Sequence, residues 1–157
     1  PQLPDTESPI IEKWVPALGA GVGIVDADTY FVGHSMGCQT IARYLESLSE
    51  DTIVGGVVYV AGFFRRLTNL EGPNEEAIAI PWLHTQLDFA KVKARAPKSI
   101  AIFSDDDPFV PLDNQDDFGE KLNSEIIMKP GMKHFNEENG CFELPIVLES
   151  ILKLAQN

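Results

Sequence analysis

The chain has 157 residues, 44% of them hydrophobic, enough to bury one sizeable core, so its length predicts a single domain over 1–157. Its 24 acidic against 12 basic residues give a formal net charge of −12, which repels phosphate backbones and anionic lipid surfaces and argues against nucleic acid or membrane as a partner. No apolar run approaches the roughly 20 residues that span a bilayer, and the N-terminus lacks a basic-then-apolar signal pattern, so the expectation is a soluble, cytoplasmic protein.

Along the chain, Ile10, Ile11, Trp14, Val15 and Leu18 recur at helical spacing and predict an amphipathic helix over Glu7 to Leu18, with Thr6 or Ser8 as cap. The glycine-rich stretch 19–23 reads as a turn. A short apolar strand, Thr29 to Gly33, leads into a second helical pattern from Met36 to Ser49. Val54 to Val60, Ser99 to Phe103 and Glu125 to Met128 are β-rich runs without polar alternation, as in parallel strands covered on both faces. Helical candidates lie at Asp88 to Ala94, Gln115 to Leu122 and Leu144 to Leu154. The segment Arg65 to Thr85, with two prolines and weak periodicity, is the most loop-like part and reads as part lid, part crossover. Strands alternating with helices predict an α/β fold with a mostly parallel sheet and helices on both faces. Cys38 and Cys141 have neither metal-ligand spacing nor the density of a disulfide scaffold and read as free thiols.

Gly33-His34-Ser35-Met36-Gly37 falls between a predicted strand and a predicted helix. Small residues there permit a tight, strained turn that pushes a serine hydroxyl out at the top of the sheet, and the following helix points its first N–H groups at developing negative charge. A serine needs a base, and in this arrangement the chain order is serine, acid, histidine. Of three histidines, His34 adjoins the serine and His84 lies in the loop-like segment. His134 follows the strand-like run 125–128 in a turn-rich stretch, where active-site loops of open α/β sheets gather. The acid belongs on the loop after the preceding strand, where Asp105, Asp106 and Asp107 stand side by side; three adjacent carboxylates cannot all point at one histidine.

Together, GHSMGC (33–38), GGVVYVAGF (55–63), FSDDDPFVP (103–111), His134-Phe135 and LPIVLESIL (144–152) resemble the small serine hydrolases of the retinoblastoma-binding protein nine and YdeN type. That group has the three-layer α/β-hydrolase fold. The resemblance implies Ser35 as nucleophile, Asp107 as acid with Asp106 in reserve, His134 as general base and acid, and Met36 as an oxyanion-hole N–H donor. It implies a carboxylesterase-like activity on small-molecule esters or related acyl compounds, with no metal or organic cofactor. A thioesterase or aminopeptidase with the same residues is the first alternative. A catalytically weak scaffold acting through a protein partner or self-association is the second. Family members often carry glycine before the histidine; Lys133 in its place implies an ordinary backbone conformation there. The family's first βα unit, with its oxyanion loop, has no counterpart ahead of Pro1-Gln2-Leu3-Pro4, an absence that implies an unpaired sheet edge. Phe63, Trp82, Phe109 and Phe135 are placed in loops bordering the acyl site.

Overall fold

The computed structural model describes residues 1–156. Four parallel strands, β1 (Tyr30–His34), β2 (Gly56–Val60), β3 (Ser99–Phe103) and β4 (Glu125–Met128), lie in the order β1-β2-β3-β4. The two central strands are wholly buried, which explains why their sequences show no polar alternation. Register places Phe31, Val57, Tyr59, Ala101 and Phe103 on one face and Val58, Val60, Ile100 and Ile102 on the other. The first face forms the larger core with α1 (Ile11–Val22), α2 (Met36–Ser47) and α4 (Phe89–Arg95). The second packs under α6 (Pro145–Gln156) through Leu154 and Ile151. Helices on both faces of a parallel sheet make three layers. At the β1 edge, Val32 is 51% exposed.

Two stretches differ from the sequence-based expectation. The first helix begins at Ile11 with no side-chain cap and runs through Gly19 to Val22, so the glycine stretch is helical and only Gly23, at φ 67°, turns. Packing overrides propensity here: a Cβ on Gly19 would lie 3.1 Å from the Tyr44 ring, so glycine lets α1 and α2 approach closely. The segment read as loop contains α3 (Pro73–His84). Pro73 occupies its first turn, where the missing N–H has no intrahelical partner anyway, and only Ala79 and Trp82 are buried, which left little periodicity to read. Side chains of α2 satisfy its C-terminal end: Gln39 Nε2 and Arg43 donate to the Trp82 carbonyl and Arg43 also to that of Thr85. Trp82 in turn donates to the Pro9 carbonyl and meets Trp14 edge-on at 5.9 Å, so α3 docks on α1 and α2.

After β3, α5 (Asn114–Asp116) continues into a π-helical turn (Asp117–Lys121). No helix of the described residues is long and apolar enough to cross a membrane.

Candidate active site

β1 ends at His34 and α2 begins at Met36, so the change of direction falls on Ser35 alone. Its backbone sits at φ 52°, ψ −119°, a conformation that costs a non-glycine residue on the order of 1–3 kcal/mol. Two hydrogen bonds hold it: Ser35 N–H donates to the Val60 carbonyl at 2.9 Å, and Cys38 N–H donates to the Ser35 carbonyl at 3.0 Å. Gly33 is sterically required, since a Cβ there would lie 2.8 Å from Ile41 Cδ1 and 2.9 Å from the Cys38 amide nitrogen. Around Gly37 a Cβ would meet nothing within 4 Å. The Cys38 thiol donates to the Gly33 and Val60 carbonyls beneath the turn, and burial pushes its pKa up to about 12, so it is an inert packing group. Met36, as the first residue of α2, has an N–H with no intrahelical acceptor, at the positive end of the helix.

His134 is brought to Ser35 across 99 residues of chain. Its Nε2 lies 3.0 Å from Ser35 Oγ and its Nδ1 2.9 Å from Asp107 Oδ2. With Nδ1–H donating to the carboxylate, Nε2 is left to accept the serine proton. The other Asp107 oxygen accepts the N–H groups of Phe109 and Val110 at 2.9 and 3.0 Å, and the side chain is 2% exposed. Asp107 is thus fixed by its own turn and aimed at the imidazole. Asp105 and Asp106 point elsewhere: Asp105 accepts from Gly131 N–H, and Asp106 accepts from the Ser104 hydroxyl and Lys133 N–H. Those two bonds, the Ser104 one foremost, hold the Asp106 carboxyl below the usual carboxylate range.

His34 does not curl back on its neighbour. Its Nε2–H donates to the His134 carbonyl at 2.7 Å, the two rings stand 4.9 Å apart, and partial desolvation by these neighbours lowers its pKa although the residue keeps an exposed face. His84 lies exposed at the end of α3, away from the other two. Lys133 departs from the ordinary backbone expected of it, with φ at 47°.

The four aromatic candidates separate. Phe109 meets the His134 ring edge-on at 5.3 Å. Phe63 and Trp82, each 1% exposed, belong to the larger core, and Phe135, 7% exposed, belongs to the core under α6. Loop-like sequence surroundings point these three to the border of the acyl site, whereas packing in the cores leaves them almost no surface to offer a substrate.

One residue that sequence reasoning passed over organises the acid loop. Asn114 is fully buried; its Oδ1 accepts from Phe64 and Arg65 N–H, and its Nδ2 donates to the Arg66 and Pro111 carbonyls. Thr68 and Asn69 add donors to the Pro108 carbonyl. The segment after β2 therefore straps down the turn that carries Asp107. A single asparagine inside an acidic run offers no sequence signal of such a role.

Residues 2–153 match the family model described as serine hydrolase. The chain belongs to that family. Among its relatives, YdeN of Bacillus subtilis (strain 168) is 29% identical over 147 residues, covering 94% of this chain and 74% of YdeN. The serine hydrolase RBBP9 of Rattus norvegicus is 27% identical over 153 residues, covering 96% of this chain and 75% of the rat protein. The crystal structure of the B. subtilis ydeN product superposes with a TM-score of 0.89 at 27% identity, covering 100% of this chain and 81% of that one. A carboxylesterase of Nitrososphaera gargenis, 13% identical with a TM-score of 0.66 over 97% of this chain and 75% of its own, shares the fold.

Proposed function

We propose that this serine hydrolase cleaves small carboxylic esters through a Ser35-His134-Asp107 triad and an acyl-enzyme. The observation that carries the reading is the unbroken chain of hydrogen bonds from Asp107 Oδ2 through both nitrogens of His134 to Ser35 Oγ, at 2.9 and 3.0 Å. Ser35 Oγ attacks the ester carbonyl carbon while His134 Nε2 takes its proton, and Asp107 stabilises the imidazolium that results. The carbonyl electron pair moves to oxygen, where the Met36 N–H and the positive end of α2 meet the developing charge. Collapse expels the alkoxide, which takes its proton from His134 Nε2. A water deprotonated by the same nitrogen then attacks the acyl-enzyme and releases the acid.

Esters are favoured over amides on leaving-group grounds. An alkoxide departs with less assistance than an amine, and the Met36 N–H, free of an intrahelical acceptor at the start of α2, supports the reading of an oxyanion donor for the acyl step. The test is intact-mass measurement after exposure to a fluorophosphonate probe, alongside hydrolysis of matched p-nitrophenyl ester, thioester and aminoacyl-anilide panels. The expected result is one adduct, absent from Ser35→Ala, with the ester series turned over fastest. An adduct that survives Ser35→Ala would sink the triad assignment, and preferential thioester or anilide cleavage would sink the ester assignment alone.

A further inference from the structure

The run Ser104-Asp105-Asp106-Asp107 follows β3 directly, and the stretch 131–134 follows β4, the neighbouring strand. Backbone pairing between them ends with Lys129 N–H donating to the Phe103 carbonyl at 2.8 Å. Beyond that point side chains replace the ladder. Gly131 N–H donates to Asp105 Oδ1 at 2.8 Å, Met132 N–H to Ser104 Oγ at 2.9 Å, and Lys133 N–H to Asp106 Oδ1 at 2.8 Å. The Ser104 hydroxyl itself donates a hydrogen bond to Asp106 Oδ1 at 2.7 Å, which links two of the three acceptors. The next residue, His134, engages Asp107. Four consecutive residues of one loop are thus held by four consecutive side chains of the other, and only the last contact involves the imidazole.

The clamp acts on a backbone that would not otherwise adopt this shape. Gly131, Lys133 and Phe135 alternate through the left-handed region at φ 70°, 47° and 53°. Glycine tolerates this freely; lysine does not. Lys133 also sits immediately before His134, so relaxation of its φ would swing the imidazole away from Ser35. Asp106 is exposed and touches neither Ser35 nor the His134 ring, and Ser104 lies buried beneath it at 2% exposure. Asp106 is therefore not arranged to serve as a reserve acid.

We propose that Asp106, backed by Ser104, is a positioning residue that holds Lys133 in its left-handed conformation and thereby aims His134 Nε2 at Ser35. This inference rests on the triad reading above. A misplacement of about 1 Å in a reacting group can cost on the order of 10²-fold in rate, so loss of the clamp is expected to act on turnover and to leave ground-state binding alone.

The experiment compares Asp106→Ala, Asp106→Asn and the double variant Asp106→Ala/Lys133→Gly, with p-nitrophenyl acetate kinetics and NMR amide exchange read on each. Asp106→Ala should lower kcat by about tenfold or more with KM within about twofold, below the 10²-fold ceiling because Ser104 and Asp105 still hold the loop. Asp106→Asn keeps an Oδ1 acceptor and should keep most of the activity. Glycine at 133 removes the strain the clamp opposes, so the double variant should recover a large part of the lost kcat. Amide exchange at Met132 and Lys133 should accelerate in Asp106→Ala and return towards wild type in Asp106→Asn.

Three results would overturn the proposal: unchanged kcat and exchange in Asp106→Ala, Asp106→Asn as impaired as Asp106→Ala, or no recovery in the double variant. If wild type and Ser35→Ala proved equally inactive, the triad reading would fail while amide exchange still decided whether Asp106 holds the loop.

Discussion

The turn at Ser35 and the loop at His134 solve the same problem by different means. Each carries non-glycine backbone at positive φ at or next to a member of the proposed triad, Ser35 itself in one case and Lys133 and Phe135 on either side of His134 in the other. The serine turn is braced from within the fold: its N–H bonds to β2, its first glycine is pressed against α2, and both flanking elements are regular. The histidine loop has no regular element on its C-terminal side until the short 3-10 turn Glu137–Asn139, and its brace is a row of polar side chains. A steric brace fails by overpacking, whereas a polar brace fails when an acceptor is lost. The two regions should therefore answer substitution differently.

The largest effect is expected on the histidine side, at the one contact of the clamp that reaches the imidazole. Asp107→Asn leaves an Oδ1 acceptor for Phe109 and Val110 N–H, so the turn should survive and the thermal midpoint should move little. Its amide cannot accept from Nδ1–H while presenting an NH₂ there, so the ring is held in the wrong tautomer and kcat should fall by about 10⁴-fold. Steady-state kinetics together with a melting curve check both halves. A fall in stability matching the fall in rate would mean that Asp107 shapes the loop and does not act on the ring.

On the serine side the next largest effect is on folding. Gly33→Ala drives a methyl into Ile41 and the backbone of α2, which should destabilise by about 1–3 kcal/mol in urea unfolding. Gly37→Ala meets open space on a helix and should be neutral or stabilise by up to about 1 kcal/mol. Equal costs at the two glycines would contradict the steric account of the turn.

The same contrast explains what could be read in advance. β3 and β4 fall where their apolar runs place them, and α2 begins at the residue after the serine, because strand, turn and helix there are specified by local composition. The pairing of Ser35 with His134 was legible through chain order and through the place of His134 in the turn-rich stretch after the run 125–128. The clamp was half legible: three adjacent aspartates cannot face one histidine, yet nothing in the sequence says that two of them serve backbone amides 26 and 27 residues later. Lys133 read as ordinary backbone because a lysine in the place where family members often carry glycine is expected to leave the left-handed region, and the aspartate that holds it there comes from another loop. Asn114 and the aromatic pair Trp14 and Trp82 depend on elements that meet only in three dimensions, and α3 was hidden by Pro73 and Pro81.

The smallest effect concerns His34, which belongs to both regions: it precedes Ser35 in the chain and donates to the His134 carbonyl. Partial desolvation of its ring, which keeps an exposed face, lowers its pKa; the charge of His134 acts in the same direction, while the bond to the His134 carbonyl and the charge of Asp107 act against it. A histidine depressed in the folded state binds more protons when unfolded, so its contribution to stability is complete above the unfolded value near 6.5 and declines as pH falls through that value towards the folded one. His34→Gln keeps an amide donor for the carbonyl and removes the titration. Wild type should therefore lose more stability than His34→Gln between pH 7.5 and 5, a difference that includes the coupling of His34 to His134 and Asp107. Parallel stability profiles would show that the His34 ring takes up its proton at no cost in the folded protein. Separately, a variant less stable than wild type at pH 7.5, where His34 is neutral in both states, would show that glutamine does not replace the bond and that this contact between serine turn and histidine loop needs the imidazole itself.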